Sequence, residues 1–228
     1  MSGADFSAAP AAVLRFVCAD ALHPVAWKNG GGLTRELLRV PLVGGTRDDW
    51  LLRISLAEIA ADGPFSSFEG VERWFAVIEG AGVRLDWPAA GDREARTLDM
   101  RAGAAPLCFD GAEAPGCALL DGPTRDLNVM VRRAAARAEL ERGDFGIPNQ
   151  WPEGPRGLFA LRALRLRRAG EPPYDLPART LAWCEEGDTG PWTIAPASDA
   201  GRTLAPSGRG DGAPPAIWIG LRRERPLS

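Results

Sequence analysis

Apolar and polar positions alternate in short runs between residues 14 and 110, and the runs are broken by Gly, Pro, Asn and Asp, the rhythm of a β-sandwich or barrel. Residues 50–58 are the clearest strand. Trp50, Leu52, Ile54 and Leu56 fall on one face, and Leu51, Arg53, Ser55 and Ala57 on the other, the two-residue period of extended chain. A further strand is predicted at 33–40, followed by a turn at Gly44-Gly45. Residues 74–78 form a continuous apolar run, and Glu79-Gly80-Ala81-Gly82 turns it into 83–87 as a hairpin. A polar loop covers 88–96, and strands at 106–109, 117–120 and 127–131 complete the first half.

The character then changes. Residues 132–142 are rich in Ala and charge and predict a helical turn or two, while the Pro-containing stretch 143–157 reads as an irregular connection. Strands resume at 158–167, 180–184, 192–195 and 216–221. The run Arg179 to Gly187 echoes Arg73 to Gly80 one residue out of register. This points to an internal repeat and two barrels side by side; the alternative is one sandwich with decorated ends. The small residues of 1–12 are expected to be loose, and 199–215 to form a mobile loop.

Composition narrows the function. A chain of 228 residues that is 45% hydrophobic, with eight Trp, builds a core even though it carries 27 Gly and 20 Pro. A net charge of −3 offers no general attraction to nucleic acid or to an anionic membrane. No apolar run reaches transmembrane length. The first residues lack a basic leader, and Arg15 interrupts their one apolar stretch. Cys18, Cys108, Cys117 and Cys184 form no CxxC pair and read as reduced thiols of a cytoplasmic protein. His23 is the sole histidine. That disfavours His-based hydrolases and most catalytic zinc or iron sites, which need a His base or several imidazoles. No cofactor and no metal ligands are expected.

The stretch from Gly63 to Gly80 resembles the first signature of the cupin superfamily, in which a His-x-His pair precedes a Glu and then a hairpin Gly. Counting back from Gly80 places Arg73 at the Glu position and Ser66 and Phe68 at the two His positions. A second cupin signature, started at Gly103, puts Ala114 in its His slot. Arg73 thereby reverses the charge preference of the lumen. A guanidinium in a partly closed cavity favours a carboxylate or phosphate gripped by two parallel hydrogen bonds. The alternative is an outward Arg73 paired with Glu72 or Glu69.

Three blocks together resemble the HutD/Ves family: Trp27-Lys28-Asn29-Gly30-Gly31-Gly32-Leu33-Thr34-Arg35-Glu36; then Arg53 to Ala57 with Gly63 to Ser66 and Gly70 to Arg73; then Asp121 to Met130. The resemblance implies a mostly β, cytoplasmic bicupin. It comprises an N-terminal cupin-like barrel over 13–135, a connection over 136–157 and a degenerate second barrel over 158–228. It also implies metal-free binding of a small carboxylate metabolite, urocanate- or formylglutamate-like, with a regulatory role in histidine utilisation.

The residues support a cavity by themselves. Three glycines allow positive φ and close backbone approach, so they form either an anion-binding nest of amides or a simple turn leading into a strand. Lys28, Asn29 and Thr34 flank them. Arg35 and Glu36 point to opposite faces, and Glu36 is expected inside as a partner that orients an inward Arg. Arg53 and Ser55 are either a solvated face or, in a two-barrel protein, a cavity wall. Arg125, Asp126 and Asn128 follow a Gly-Pro turn and are assigned to the cavity mouth or to local structure. Trp27 is either packing or a stacking surface for a flat ligand. The expected ligand-binding set is Trp27, Lys28, Asn29, Glu36 and Arg53, with Ser55, Ser66, Arg73, Arg125 and Asn128. The competing reading is a metal-independent isomerase or hydrolase using Glu36 or Asp126 as base; a structural or partner-binding protein is a third. The expected partner is a small carboxylate, with no nucleic acid and no membrane, and a homodimer is left open.

Overall fold

A computed structural model describes residues 13–46, 48–151, 154–185, 190–197 and 213–224. Among these, strands dominate, two 3-10 turns occur at Ala19–Ala21 and Gly111–Glu113, and there is no α-helix. The strands are β1 (Leu14–Cys18), β2 (Val25–Ala26), β3 (Gly32–Pro41), β4 (Trp50–Ile59), β5 (Gly63–Pro64), β6 (Val71–Glu79), β7 (Val83–Trp87), β8 (Arg96–Met100) and β9 (Leu107–Asp110). They continue with β10 (Gly116–Leu119), β11 (Thr124–Arg132), β12 (Ala136–Gly143), β13 (Arg156–Ala160), β14 (Leu164–Arg168), β15 (Tyr174–Leu176), β16 (Thr180–Cys184), β17 (Trp192–Pro196) and β18 (Ala216–Arg223).

The strands form two sandwiches. One pairs a six-stranded sheet, β2-β3-β4-β11-β6-β9, with a four-stranded sheet, β5-β10-β7-β8. The other pairs a five-stranded sheet, β1-β16-β13-β18-β12, with a three-stranded one, β15-β14-β17. Phe65, Phe75, Val83, Leu85, Trp87 and Phe109 fill part of the first sandwich. Leu158, Leu164, Leu166, Trp192, Ile194 and Trp218 fill the second. A third cluster joins the two large sheets back to back. Leu52, Ile54, Leu56, Leu127, Val129 and Val131 meet Ala138, Leu140, Phe159, Leu181, Trp183 and Ile219 there.

This double packing explains the pattern of β4. Its large aliphatic face is buried between sandwiches, so its smaller and more polar face looks into the first lumen. Trp50 departs from that alternation and packs with Val71 and Met130 instead. The architecture is the expected all-β double barrel, with the chain crossing between its halves. β1 pairs with β16, and β12 with β18.

Residues 132–142 correct the sequence reading. They hold the end of β11, a turn and most of β12 rather than helical turns. Ala136, Ala138 and Leu140 are buried at alternate positions and Arg137 and Glu141 are exposed, a two-residue period that alanine's weak hydrophobicity masks. The predicted strand at 158–167 is two strands, β13 and β14, and β8 and β15 were not foreseen. The expected loose start at 1–12, and all but the last residues of the expected loop at 199–215, lie outside the described residues. No helix among the described residues is long and apolar enough to cross a membrane.

Candidate functional site

The lumen-facing side of the six-stranded sheet is a grid of chemically distinct rows. Arg39, Arg53, Met130, Arg73 and Phe109 lie opposite one another on β3, β4, β11, β6 and β9. The next row is Glu36, Ser55, Asn128 and Phe75, and the one after it Thr34, Ala57, Asp126 and Val77. Inter-strand spacing sets the backbones at Arg53 and Arg73 about 10 Å apart across the sheet, with Met130 between them.

Strict alternation on β3 would send Glu36 and Arg39 to opposite faces. A bulge prevents this. The register with β4 slips between Glu36 and Leu38, so Leu37 is the extra residue, and Leu37 and Leu38 both enter the inter-sandwich core. One inserted residue reverses the phase of everything after it. Glu36 and Arg39 therefore share the lumen, where Glu36 accepts hydrogen bonds from Arg39 Nε and Nη2, each at 2.9 Å, and from Arg53 Nε at 2.7 Å. Arg39 foremost, then Arg53, holds the Glu36 carboxyl below its usual range.

These side chains line a cavity of about 670 Å³. Of the expected set, Trp27, Lys28, Asn29, Glu36, Arg53, Ser55, Ser66, Arg73 and Asn128 line it. Arg125 does not. It lies on the other face of β11 and pairs with Glu58 at 3.0 Å and Glu79 at 2.9 Å, its cross-strand neighbours. Arg39, Phe65, Phe68 and Met130 also line the cavity and were not in that set. Only the bulge could have revealed Arg39, and a single sequence gives no signal for it.

The three-glycine segment is a turn rather than a nest. The Gly30 amide donates to the Trp27 carbonyl at 3.0 Å and the Gly31 amide to Asn29 Oδ1 at 3.1 Å, which leaves neither free for an anion. Gly32 is required by space. A Cβ there would come within 2.3 Å of the Glu58 carbonyl and 3.0 Å of the Trp27 ring. The Trp27 indole is fixed by donating to Thr34 Oγ1 at 2.7 Å.

Arg73 points inward and is only 6% exposed. Its Nε donates to Asn128 Oδ1 at 2.8 Å, and its guanidinium carbon lies 4.1 Å from the Phe65 ring centre. Asn128 Nδ2 in turn donates to Asp126 Oδ1. Asp126 is 1% exposed, sits beneath the cavity wall, and leaves Oδ2 buried without a partner. Burial lifts the Asp126 carboxyl to about 7 and brings Arg73 down to about 10. Desolvation outweighs their mutual attraction because Asn128 separates the two groups. Among the described residues no group accepts a hydrogen bond from either terminal nitrogen of Arg73, which faces the cavity.

Lys28, Arg39, Arg53 and Arg73 therefore face one lining carboxylate, Glu36, and the lumen favours an anion. A divalent cation does not fit these residues. Ser66, Phe68, Arg73 and Ala114 supply no imidazole or carboxylate, and no group of three His, Cys, Asp or Glu among the described residues could hold a metal.

Comparison with known proteins places the chain. The HutD family model matches residues 19–201. An uncharacterised 21.2 kDa protein of Pseudomonas putida, from the region 3′ of hutC, is 34% identical over 134 residues, covering 59% of this chain and 62% of its own length. Protein Ves of Citrobacter koseri is 38% identical over 120 residues, covering 52% and 58%. The chain thus spans about three fifths of the length of these curated relatives. The solved structure of HutD from Pseudomonas fluorescens SBW25 superposes with a TM-score of 0.70 at 24% identity, covering 93% of this chain and all of that one. A Bacillus subtilis oxalate decarboxylase variant shares the cupin fold alone, with a TM-score of 0.55 at 8% identity over 90% of this chain and 76% of its own. The match over most of the chain, on a double cupin architecture, makes it a member of the HutD family.

Proposed function

We propose that the protein binds a small carboxylate metabolite without a metal, and that this binding serves a regulatory role in histidine utilisation. The observation that carries the reading is Arg73. It is a buried guanidinium, aimed by Asn128 and stacked on Phe65, whose terminal nitrogens face a cavity with an excess of positive charge. A carboxylate docked on that fork makes two charge-assisted hydrogen bonds where little water competes. Trp27, Phe65 and Phe68 add aromatic walls, which suits a planar compound such as urocanate; Lys28 and the Arg39–Glu36–Arg53 cluster suit the second polar end of a formylglutamate-like one. The link to histidine utilisation rests on family membership and on the relative from the hutC region.

The enzymatic alternative fares worse on geometry. Both Glu36 oxygens are engaged by arginines, so its carboxylate has little basicity to offer. Asp126 does not reach the cavity wall. Calorimetric titration with urocanate and with N-formylglutamate tests the proposal. Wild type is expected to bind at least one of them, and Arg73→Ala, with an unchanged circular dichroism spectrum, to bind neither. Equal binding by the two proteins would remove Arg73 from the site.

A further inference from the structure

Arg73 is held from behind by a chain of two buried side chains, Asn128 and then Asp126. The far end of that chain is unfinished, because Asp126 Oδ2 is buried and has no hydrogen-bond partner. Of the groups that ionise, Arg73 from β6 acts on Asp126, and Asp126 in turn acts on the Cys117 thiol from β10. Burial pushes that thiol up to about 12, so it is uncharged at neutral pH. The cross-strand neighbours of Asp126, Ala57 and Val77, are apolar. Arg53 reaches Arg73 but not Asp126. Asp126 therefore has one counter-charge, the same guanidinium that faces the cavity.

We infer that Asp126 is a positioning residue for the anion site and that an anion settling on Arg73 is accompanied by one proton moving from solvent onto Asp126. The inference rests on the reading of Arg73 as the anion's seat. The reason is charge balance in a dry place. One guanidinium compensates one carboxylate, and the other cations of the lumen do not act on Asp126; with the ligand on Arg73, an ionised Asp126 stays uncompensated at a cost far above that in water. When the ligand takes the guanidinium, Asp126 must give up its charge, and Oδ2 is the oxygen free to take the proton. Oδ1 continues to accept from Asn128, so Asn128 and the aim of Arg73 do not change. Above neutrality the buried cluster carries no net charge before binding, as Arg73 with ionised Asp126, and none after it, as Arg73 with the ligand. An ionised fraction of Asp126 must exist beforehand, and a carboxyl that titrates near neutrality supplies it.

Calorimetry of the full chain with N-formylglutamate, whose carboxylates stay ionised above pH 5, tests this. Runs in two buffers of different protonation enthalpy count the protons taken up. Wild type is expected to take up nearly one proton per ligand at pH 8 and almost none at pH 5. Its affinity should fall about tenfold per pH unit above neutrality. Asp126→Asn, which copies the protonated shape, is expected to bind with no proton uptake, a flat profile from pH 6 to 9, and affinity at least about tenfold above wild type at pH 8. Wild-type binding with no proton uptake overturns the inference while leaving the anion site intact. So does an Asp126→Asn variant that weakens binding equally at every pH, the mark of a structural role. If wild type binds no carboxylate at any pH, the anion site itself fails, and this inference with it.

Discussion

Replacing Asp126 by Asn should change the pH dependence of stability in a direction opposite to that of an ordinary paired carboxylate. The folded carboxyl is lifted from 3.8 to about 7 by burial. Between those values the unfolded chain has released its proton and the folded chain retains it, so stability falls as pH rises through this window and then levels off above the folded value. A shift of about three units corresponds to about 4 kcal/mol of lost stability at pH 8 relative to pH 4. Asn cannot ionise, and its amide nitrogen takes the place of the partnerless Oδ2, so no hydrogen bond is broken. An unpaired buried N–H does add a penalty of roughly 1–3 kcal/mol, but that offset does not vary with pH. Urea unfolding of both proteins between pH 4 and pH 8 yields the difference curve, in which the common titration of other carboxylates cancels. The variant should gain on wild type by several kcal/mol across the range. Parallel curves would show that Asp126 is solvated or paired, and the desolvation argument would be wrong.

Arg73→Lys keeps a charge but loses the Nε bond to Asn128 and half of the fork, so carboxylate affinity should drop about 100-fold, as read by titration. Arg125→Ala is the matching control from the opposite face of the same sheet. It should leave anion affinity unchanged and cost no more than about 1 kcal/mol in thermal melts, since its pairs with Glu58 and Glu79 are partly solvated. Gly220→Ala would place a Cβ 2.3 Å from the Trp151 ring; melting should show a loss of roughly 1–3 kcal/mol, with binding in the other sandwich unaffected.

How far the site is legible in the sequence differs from strand to strand. β6 reads directly, because Arg73 is spaced from its hairpin glycine by a fixed count and shares the two-residue period of Val71, Phe75 and Val77. β4 reads only halfway. Its period sorts Ile54 and Leu56 from Arg53 and Ser55, but a period says which residues share a face and not what covers that face. A second sheet lies against the aliphatic face, and that non-local packing turns the remaining face into a cavity wall. β3 misleads after Glu36, since a bulge is a pairing decision between strands and leaves no mark in either one alone. β12 is missed for a local reason: Ala136 and Ala138 bury little surface each, so their alternation is faint beside the charges between them.

The two sandwiches share an architecture but fill their interiors differently. On the lumen side of the five-stranded sheet, Leu158, Ala160, Ala182, Ala216 and Trp218 face Leu164, Leu166, Trp192 and Ile194 from the small sheet, and Arg156 is buried beside them with its guanidinium carbon 4.4 Å from the Trp192 ring centre. The apolar part of this interior contributes stability in proportion to the area removed from water. The six-stranded sheet presents Arg53, Ser55, Arg73 and Asn128 at the comparable depth, and burying an arginine and an aspartate there destabilises the fold. The back-to-back cluster, with Leu52, Ile54, Leu127, Val129, Phe159, Leu181 and Trp183 in it, ties the two sandwiches together. The second sandwich thus backs the cavity wall without reaching its lumen, since its large sheet packs on the far face of β4, β11 and β6.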